Sequence, residues 1–441
     1  VQARWEAPAE PAPAGPLTAE RAIREALAAS PELEQIRRRV EAAGEQVRQA
    51  EAAFYPRVAF AQEYSVTNNP VLVFMQILNQ RDLSFAMDFN DPGRHQNVTS
   101  RVQADWSLFE GGGRLRNREA ALQQRHAAES ELLAARNRLV ASVTETYYRW
   151  LQALGFIRVA DLALEAARTD ERLGHARARA EAALPSELLR LRTRTAEARA
   201  NATTAQTGAR RLQAALERLL ARPVRPEEVP DPGPAGSSDA PPLPPGEPGG
   251  LVDRALERRP ELEGVRALIL AARERLRAAR GELLPKIGAR AWYAWDSEAL
   301  QGGGDSWLVG LQATWSLYQG GATLSRAREA QARLREMEAR GEQMALDVAL
   351  EVHQAALGVQ EAAEKITVSE ERRQWASRAL TEVRSLYQRQ VVNVDALLQA
   401  QVEWNRAEVA YTAALFDGRI AHTLLRQALG DFAQWTEVRG E

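Results

Sequence analysis

Apolar residues fall at helical spacing along residues 31–55, at Leu33, Ile36, Val40, Val47 and Phe54, and Pro56 ends the pattern. The period then drops to two. Val58, Phe60, Tyr64 and Val66 alternate with Arg57, Ala59, Glu63 and Ser65, and on the return Val98, Val102, Ala104, Trp106 and Leu108 alternate with Thr99, Arg101, Gln103 and Asp105. Such alternation predicts two strands, 57–66 and 98–109, each with one apolar face. Gly111, Gly112 and Gly113 break the second strand. A proline-free helical pattern then covers 114–183, a rod of roughly 100 Å at 1.5 Å per residue. A helix over 185–221 follows it, and a short one over 17–28 precedes the set.

The pattern then recurs. PELEQIRRRVEAAGEQVRQAEAAFYP at 31–56 and PELEGVRALILAARERLRAARGELLP at 260–285 share 11 of 26 positions at an offset of 229. WSLFEGG at 106–112 matches WSLYQGG at 315–321 at an offset of 209, as Leu188 and Leu189 match Leu397 and Leu398. The difference between the offsets places 20 extra residues in the first hairpin. The chain therefore reads as an internal duplication. Residues 17–222 form the first repeat and 251–430 the second, with helices 251–258, 261–284, 323–390 and 394–429 and strands 286–295 and 306–318. Residues 223–250, rich in proline and glycine, are the linker, expected as irregular chain around the middle of the rods. Residues 1–16 and 431–441 are tails.

Helix lengths carry a geometric expectation. The helices 31–55 and 185–221 together are about as long as 114–183, so laid end to end they flank it antiparallel. That arrangement puts the strand hairpins at one end of the rods and the turns 184–187 and 391–395 at the other. Four strands cannot close a barrel alone, and an open edge in lipid leaves backbone groups unsatisfied. Closure needs several chains: two give eight strands and three give twelve. A long soluble coiled coil with a small sheet is the alternative.

Composition narrows the function. The net charge of −2 over 441 residues gives no basic field for nucleic acid, and the lack of cysteine removes disulfides and thiolate metal sites. No run of about 18 apolar residues predicts a membrane-spanning helix. The chain opens on Val1, from which we expect a leader removed or an end trimmed. Histidines at 95, 126, 175, 353 and 422 lack metal-ligand spacing, and the triple glycines at 111–113 and 302–304 lack a phosphate-loop context. No catalytic residue, metal or cofactor is expected.

The duplicated Pro-Glu-Leu helix, the strands ending in Leu-Phe-Glu-Gly-Gly and Leu-Tyr-Gln-Gly-Gly, and the segment VNVDALLQAQVEWNRAEVAY at 392–411 resemble the TolC-like outer-membrane efflux family in order and duplication over about 17–430. The resemblance implies a mainly α chain with a β-barrel portion. It implies a homotrimer whose twelve-strand barrel, four strands per chain, spans the outer-membrane bilayer of a Gram-negative bacterium and continues as an α-helical coiled-coil tunnel in the periplasm. It also implies a passive duct for a tripartite efflux or type I secretion system, with a periplasmic adaptor (membrane fusion protein) and an inner-membrane transporter as partners. A soluble periplasmic scaffold or adaptor is the competing function.

By the same resemblance, the turns 184–187 and 391–395 form the constricted periplasmic tip, where acidic residues ring the tunnel and bind cations. The candidates are Asp395 and Glu187, with Asn393 opening the last helix. Helix capping by Asn393 and first-turn placement of Asp395 or Glu187 at the helix N-terminal dipole are the plainer explanation of these residues. Gln390 stands where the family favours glycine, and Gln399 and Arg190 stand where a second acidic ring occurs. Tyr387 and Arg389 precede the turn as interface residues able to bond across helices. The extra hairpin residues, around 70–95, carry an apolar run from Val71 to Leu78 that is expected to be buried in the barrel mouth or against neighbouring chains, with extended strand as the alternative.

Overall fold

The computed structural model describes residues 15–84, 87–88, 90–180, 184–231, 248–299 and 302–432. The first half of the chain runs α1 (Ala19–Ala29), α2 (Pro31–Ala52), β1 (Arg57–Thr67), α3 (Pro70–Gln80), β2 (His95–Glu110), α4 (Gly113–Arg179) and α5 (Pro185–Leu220). The second runs α6 (Pro248–Arg258), α7 (Pro260–Gly281), β3 (Lys286–Ser297), β4 (Gly304–Thr314), α8 (Ala322–Gln388) and α9 (Val394–Ala428). Corresponding helices match in length: 11 residues for α1 and α6, 22 for α2 and α7, 67 for α4 and α8, and 36 against 35 for α5 and α9. Among the described residues, α3 has no counterpart in the second half. Residues 1–14 and 433–441 of the tails, the tip residues 181–183 and most of the linker lie outside the described residues.

Several expected boundaries move. β2 begins at His95 rather than 98, because the hairpin stays paired to Thr67↔His95. β4 ends at Thr314 rather than 318, because β3, its only partner, begins at Lys286. α2 and α7 stop short of the prolines by a few residues that form turns. The linker, expected to be irregular throughout, contains a 3-10 turn at Pro226–Glu228, and α6 begins inside it at Pro248. The chain separates into two compact units, one of residues 38–130 and 263–342 and the other of the remainder; α2, α4, α7 and α8 contribute to both.

The first unit is built on a four-stranded antiparallel sheet in the order β1-β2-β3-β4. Register carries the side-chain alternation across all four strands. Val58 pairs with Ala104, Phe60 with Val102 and Tyr64 with Val98, and beyond them Val102 pairs with Tyr293 and Tyr293 with Trp307. The opposite face aligns Glu63 with Thr99, Asp105 with Arg290 and Gly288 with Gln312. A shift between Ser107 and Phe109 bends β2 at its end. β1 and β4 are the open edges.

The second unit is helical. Thr18 accepts a hydrogen bond from the Arg21 amide (3.2 Å) at the start of α1, and Pro31, Pro185 and Pro260 occupy first helical positions, where the missing N–H costs nothing. Its largest core joins Leu17, Ile23, Leu33 and Ile36 to Leu139, Val143 and Trp150 of α4 and Leu216 and Leu220 of α5. The start of α2 and the end of α5 thus meet on the middle of α4, as the length argument requires. Leu251, Ala255 and Leu262 pack likewise on Val348, Val352, Leu425 and Leu429. Between α4 and α5 small residues seat leucines: Ala198 and Ala202 meet Leu164 and Ala167, and a Cβ on Gly174 would lie 2.4 Å from Leu191 Cδ1. The described part of the linker is tied down. The Leu17 amide donates to the Glu228 carbonyl (2.8 Å), and the buried Glu228 carboxylate takes Arg222 (2.8 Å) and Arg21.

Candidate functional site

None of the described helices is long and apolar enough to cross a membrane; the four-stranded sheet presents a different surface. One of its faces is apolar from edge to edge and uncovered. Leu311 is 76% exposed, Val309 74%, Trp307 70% and Val58 68%, with Phe60 and Tyr64 close behind. At roughly 25 cal/mol per Å² of apolar surface, water is a poor solvent for such a face. Its other face holds charge: Arg290 pairs with Asp105 (2.6 Å), and the Arg101 guanidinium stacks 5.0 Å from the Trp292 ring centroid. Two tryptophans at the helix end of the strands repeat one hydrogen bond. Trp106 Nε1 donates to the Phe54 carbonyl (2.9 Å) and Trp315 Nε1 to the Leu283 carbonyl (3.1 Å). Amphipathic rings held at the end of an apolar band suit a membrane interface.

In the helical unit, the two helix-helix turns come together. Leu191, Leu380, Tyr387, Val394 and Leu397 form one buried cluster. Asn393 caps α9, its side chain accepting from the Ala396 amide (3.0 Å). Gln390 is left-handed at φ 65°, and the Gln390 and Val391 amides donate to the Tyr387 and Leu386 carbonyls (3.1 and 2.9 Å). That is the closure glycine makes most easily. Asp395 is exposed and ion-paired to Arg190 across the two turns. Glu187 is half-buried in the first turn of α5, and Gln399 is exposed. Tyr387 is buried, with the Arg177 guanidinium 4.7 Å from its ring centroid. Burial pushes the Tyr387 hydroxyl above its usual range, against the pull of Arg177.

The arrangement thus changes the meaning of two expected residues. Arg190, read from the sequence as a departure from an acidic ring, is the partner of Asp395, and a neutralised carboxylate is a weak cation site. The sequence reading also missed a group one turn deeper. Asp170 of α4 is buried, accepts from Gln401 Nε2 of α9, and lies 3.5 Å from Arg384 of α8. Burial raises its carboxyl above the ordinary range, and Arg384 and Gln401 oppose that shift. A signal existed: Asp170 lies three residues after Ala167 and four before Gly174, on the stripe that packs against α5.

The α3 segment departs from expectation in the other unit. The apolar run is a helix, neither loop nor strand, capped by Asn69, whose side chain accepts from Val71 and Leu72 amides (3.1 and 3.3 Å). Val73 and Ile77 are buried, but Val71, Leu72, Met75 and Leu78 are exposed, because an 11-residue helix on a sheet hides only one side.

The family model for outer membrane efflux protein matches residues 22–222 and 251–431. Among solved structures, the chain is similar to CusC at 18% identity and TM-score 0.82, over 97% of this chain and 98% of that one. It is similar to the outer-membrane channel OprN at 21% identity and TM-score 0.79, over 95% and 91%. It is also similar to the outer membrane protein VceC of Vibrio cholerae at 20% identity and TM-score 0.77, over 93% and 96%. No curated protein sequence matches the chain.

Proposed function

The chain belongs to the outer membrane efflux protein family, and we propose that three copies assemble into a passive outer-membrane duct, closed at a periplasmic tip and working with an adaptor and an inner-membrane pump. The observation that carries this reading is the uncovered apolar sheet face with charge on its reverse, bounded by the two unpaired edges β1 and β4. In lipid, edges must pair, so β4 of one protomer meets β1 of the next. Three copies give twelve strands, with the Arg290–Asp105 face lining the lumen. A soluble scaffold would leave Val309, Leu311 and Trp307 in water.

The tip function follows from the turns. Symmetry brings six of them around one axis, and the Tyr387–Arg177, Asp395–Arg190 and Asp170–Arg384–Gln401 contacts hold each pair shut. Opening separates α8 and α9 from α4 and α5 and breaks these contacts, and the same surface meets the adaptor. The duct performs no covalent chemistry; charge, radius and contacts set what passes. Fractionation and mass test the reading. The protein should resist salt extraction from outer membranes, require detergent, and run as a particle of three chains. Release by salt, or a monomeric or dimeric particle, overturns it.

A further inference from the structure

The α3 helix lies on the polar face of the sheet. Gln76 Nε2 donates to Ser65 Oγ (3.1 Å), and Gln80 Nε2 donates to Asn97 Oδ1 (2.8 Å) while its Oε1 meets His95 Nε2 (3.1 Å). Ser65, Asn97 and His95 share the side of Thr99 and Asp105 by the strand register. Beneath it, Asn97 Nδ2 and Thr99 Oγ1 donate to Asp296 Oδ1 (2.8 and 2.6 Å), a buried polar network that fixes the seat of the helix. A Cβ on Gly304 would lie 2.1 Å from the Asn79 carbonyl oxygen, so the helix end rests on the β4 backbone itself. Having buried Val73, Ile77 and Gln80, α3 turns Val71, Met75 and Leu78 directly away from the sheet, with Leu72 beside them.

From this seat we infer that three α3 helices meet inside the rim of the barrel and form an apolar collar that closes it at the end of the strands away from the α2–β1 junction. The inference rests on the trimeric barrel proposed above. Its occupant is a second and third copy of the same helix, and geometry selects it. Twelve strands about 4.8 Å apart, tilted by about 40°, set the backbone on a radius of about 12 Å. Three helices, each about 10–12 Å across with side chains, fill a circle of about 11–13 Å radius when packed side by side. Helices seated on the inner face of this ring therefore touch one another, and the stripe Val71, Met75, Leu78 is the surface that touches. Lipid is excluded as the occupant, because it lies on the other side of the sheet. A ring of such side chains sheds water and blocks ions without steric contact at every point. The collar is held to the sheet by hydrogen bonds through Gln76 and Gln80 and, at the C-terminal end of α3, by the Arg81–Asp305 ion pair (2.6 Å).

The sequence contains no cysteine, so Met75→Cys and, separately, Leu78→Cys each introduce a single reporter at an exposed position. Purified full-length protein in detergent is treated with a short bis-maleimide, which tolerates a wider gap than the Cα separation of about 4.4–6.8 Å that a disulfide needs. Both variants should give a covalent dimer on denaturing gels from a particle whose native mass is three chains. Val309→Cys, on the apolar face, should stay monomeric under the same treatment. Two α3 variants that stay monomeric within a three-chain particle overturn the collar and leave the duct standing. A particle of any other mass overturns the duct, and the collar with it.

Discussion

Replacing Arg384 with alanine should open the tip far more than replacing Asp395, although each residue is one arm of an ion pair. Arg190 and Asp395 are 54% and 56% exposed at their side chains, so solvent screens them. Exposed pairs contribute about 0.2–1 kcal/mol, and taking about 0.5 in each of three protomers, their loss shifts the closed-to-open balance roughly tenfold. Asp170 is only 6% exposed, and removing its cationic neighbour leaves a buried carboxylate short of a partner. That penalty is about 1–3 kcal/mol. Discounted because Arg384 itself is 37% exposed, it comes to about 1–2 kcal/mol per protomer, or on the order of a hundredfold to ten-thousandfold over three. Single-channel recordings in planar bilayers measure the difference directly as open probability. The pH dependence has a definite sign. The closed tip already raises Asp170 above its ordinary value, and losing Arg384 raises it further. Protonation then favours the closed tip, so the Arg384→Ala duct should open most at neutral and alkaline pH and close progressively as pH falls through the raised value. Equal opening by Asp395→Ala, or opening that grows on acidification, would refute this account of the lock.

Three further outcomes follow from named contacts. Gln390→Gly should raise the melting temperature, because the left-handed φ of 65° costs a non-glycine residue about 1 kcal/mol; a lower melting temperature would mean that the glutamine side chain holds the turn. Glu228 is buried, which by itself raises its carboxyl, yet Arg222, the Arg225 amide and Arg21 together hold it down at about 2 from 4.5. The protein should therefore lose up to about 3 kcal/mol as pH falls from about 4.5 toward 2, and Glu228→Gln, followed by circular dichroism, should flatten that slope while lowering stability at pH 7. Leu311→Lys, on the apolar face, should cost about 2–4 kcal/mol near the bilayer midplane and deplete the trimer from outer membranes, whereas Gln312→Lys on the reverse face should be tolerated.

Period and punctuation in the sequence determined a great deal here. Alternation in 57–66 and 286–295 determined the strands and their two faces, since a period of two admits no other use. Prolines at 31, 56, 185, 260 and 285, with the glycines at 111–113, determined where elements begin and end, because a missing N–H and a free φ act locally. The 67-residue helices were legible as uninterrupted pattern, and Asn393 as a cap needs only its own neighbours. What tertiary structure alone decided depends on residues far apart in sequence. The apolar run at 71–78 is equally suited to strand and helix by composition, and its seat on the polar face is set by Ser65, Asn97 and Gly304. Arg190 became the partner of Asp395 only when turns 205 residues apart were brought side by side. Asp170 showed its role only when α8 and α9 supplied Arg384 and Gln401, because charge pairing acts through space at a few ångströms and leaves no period in the chain.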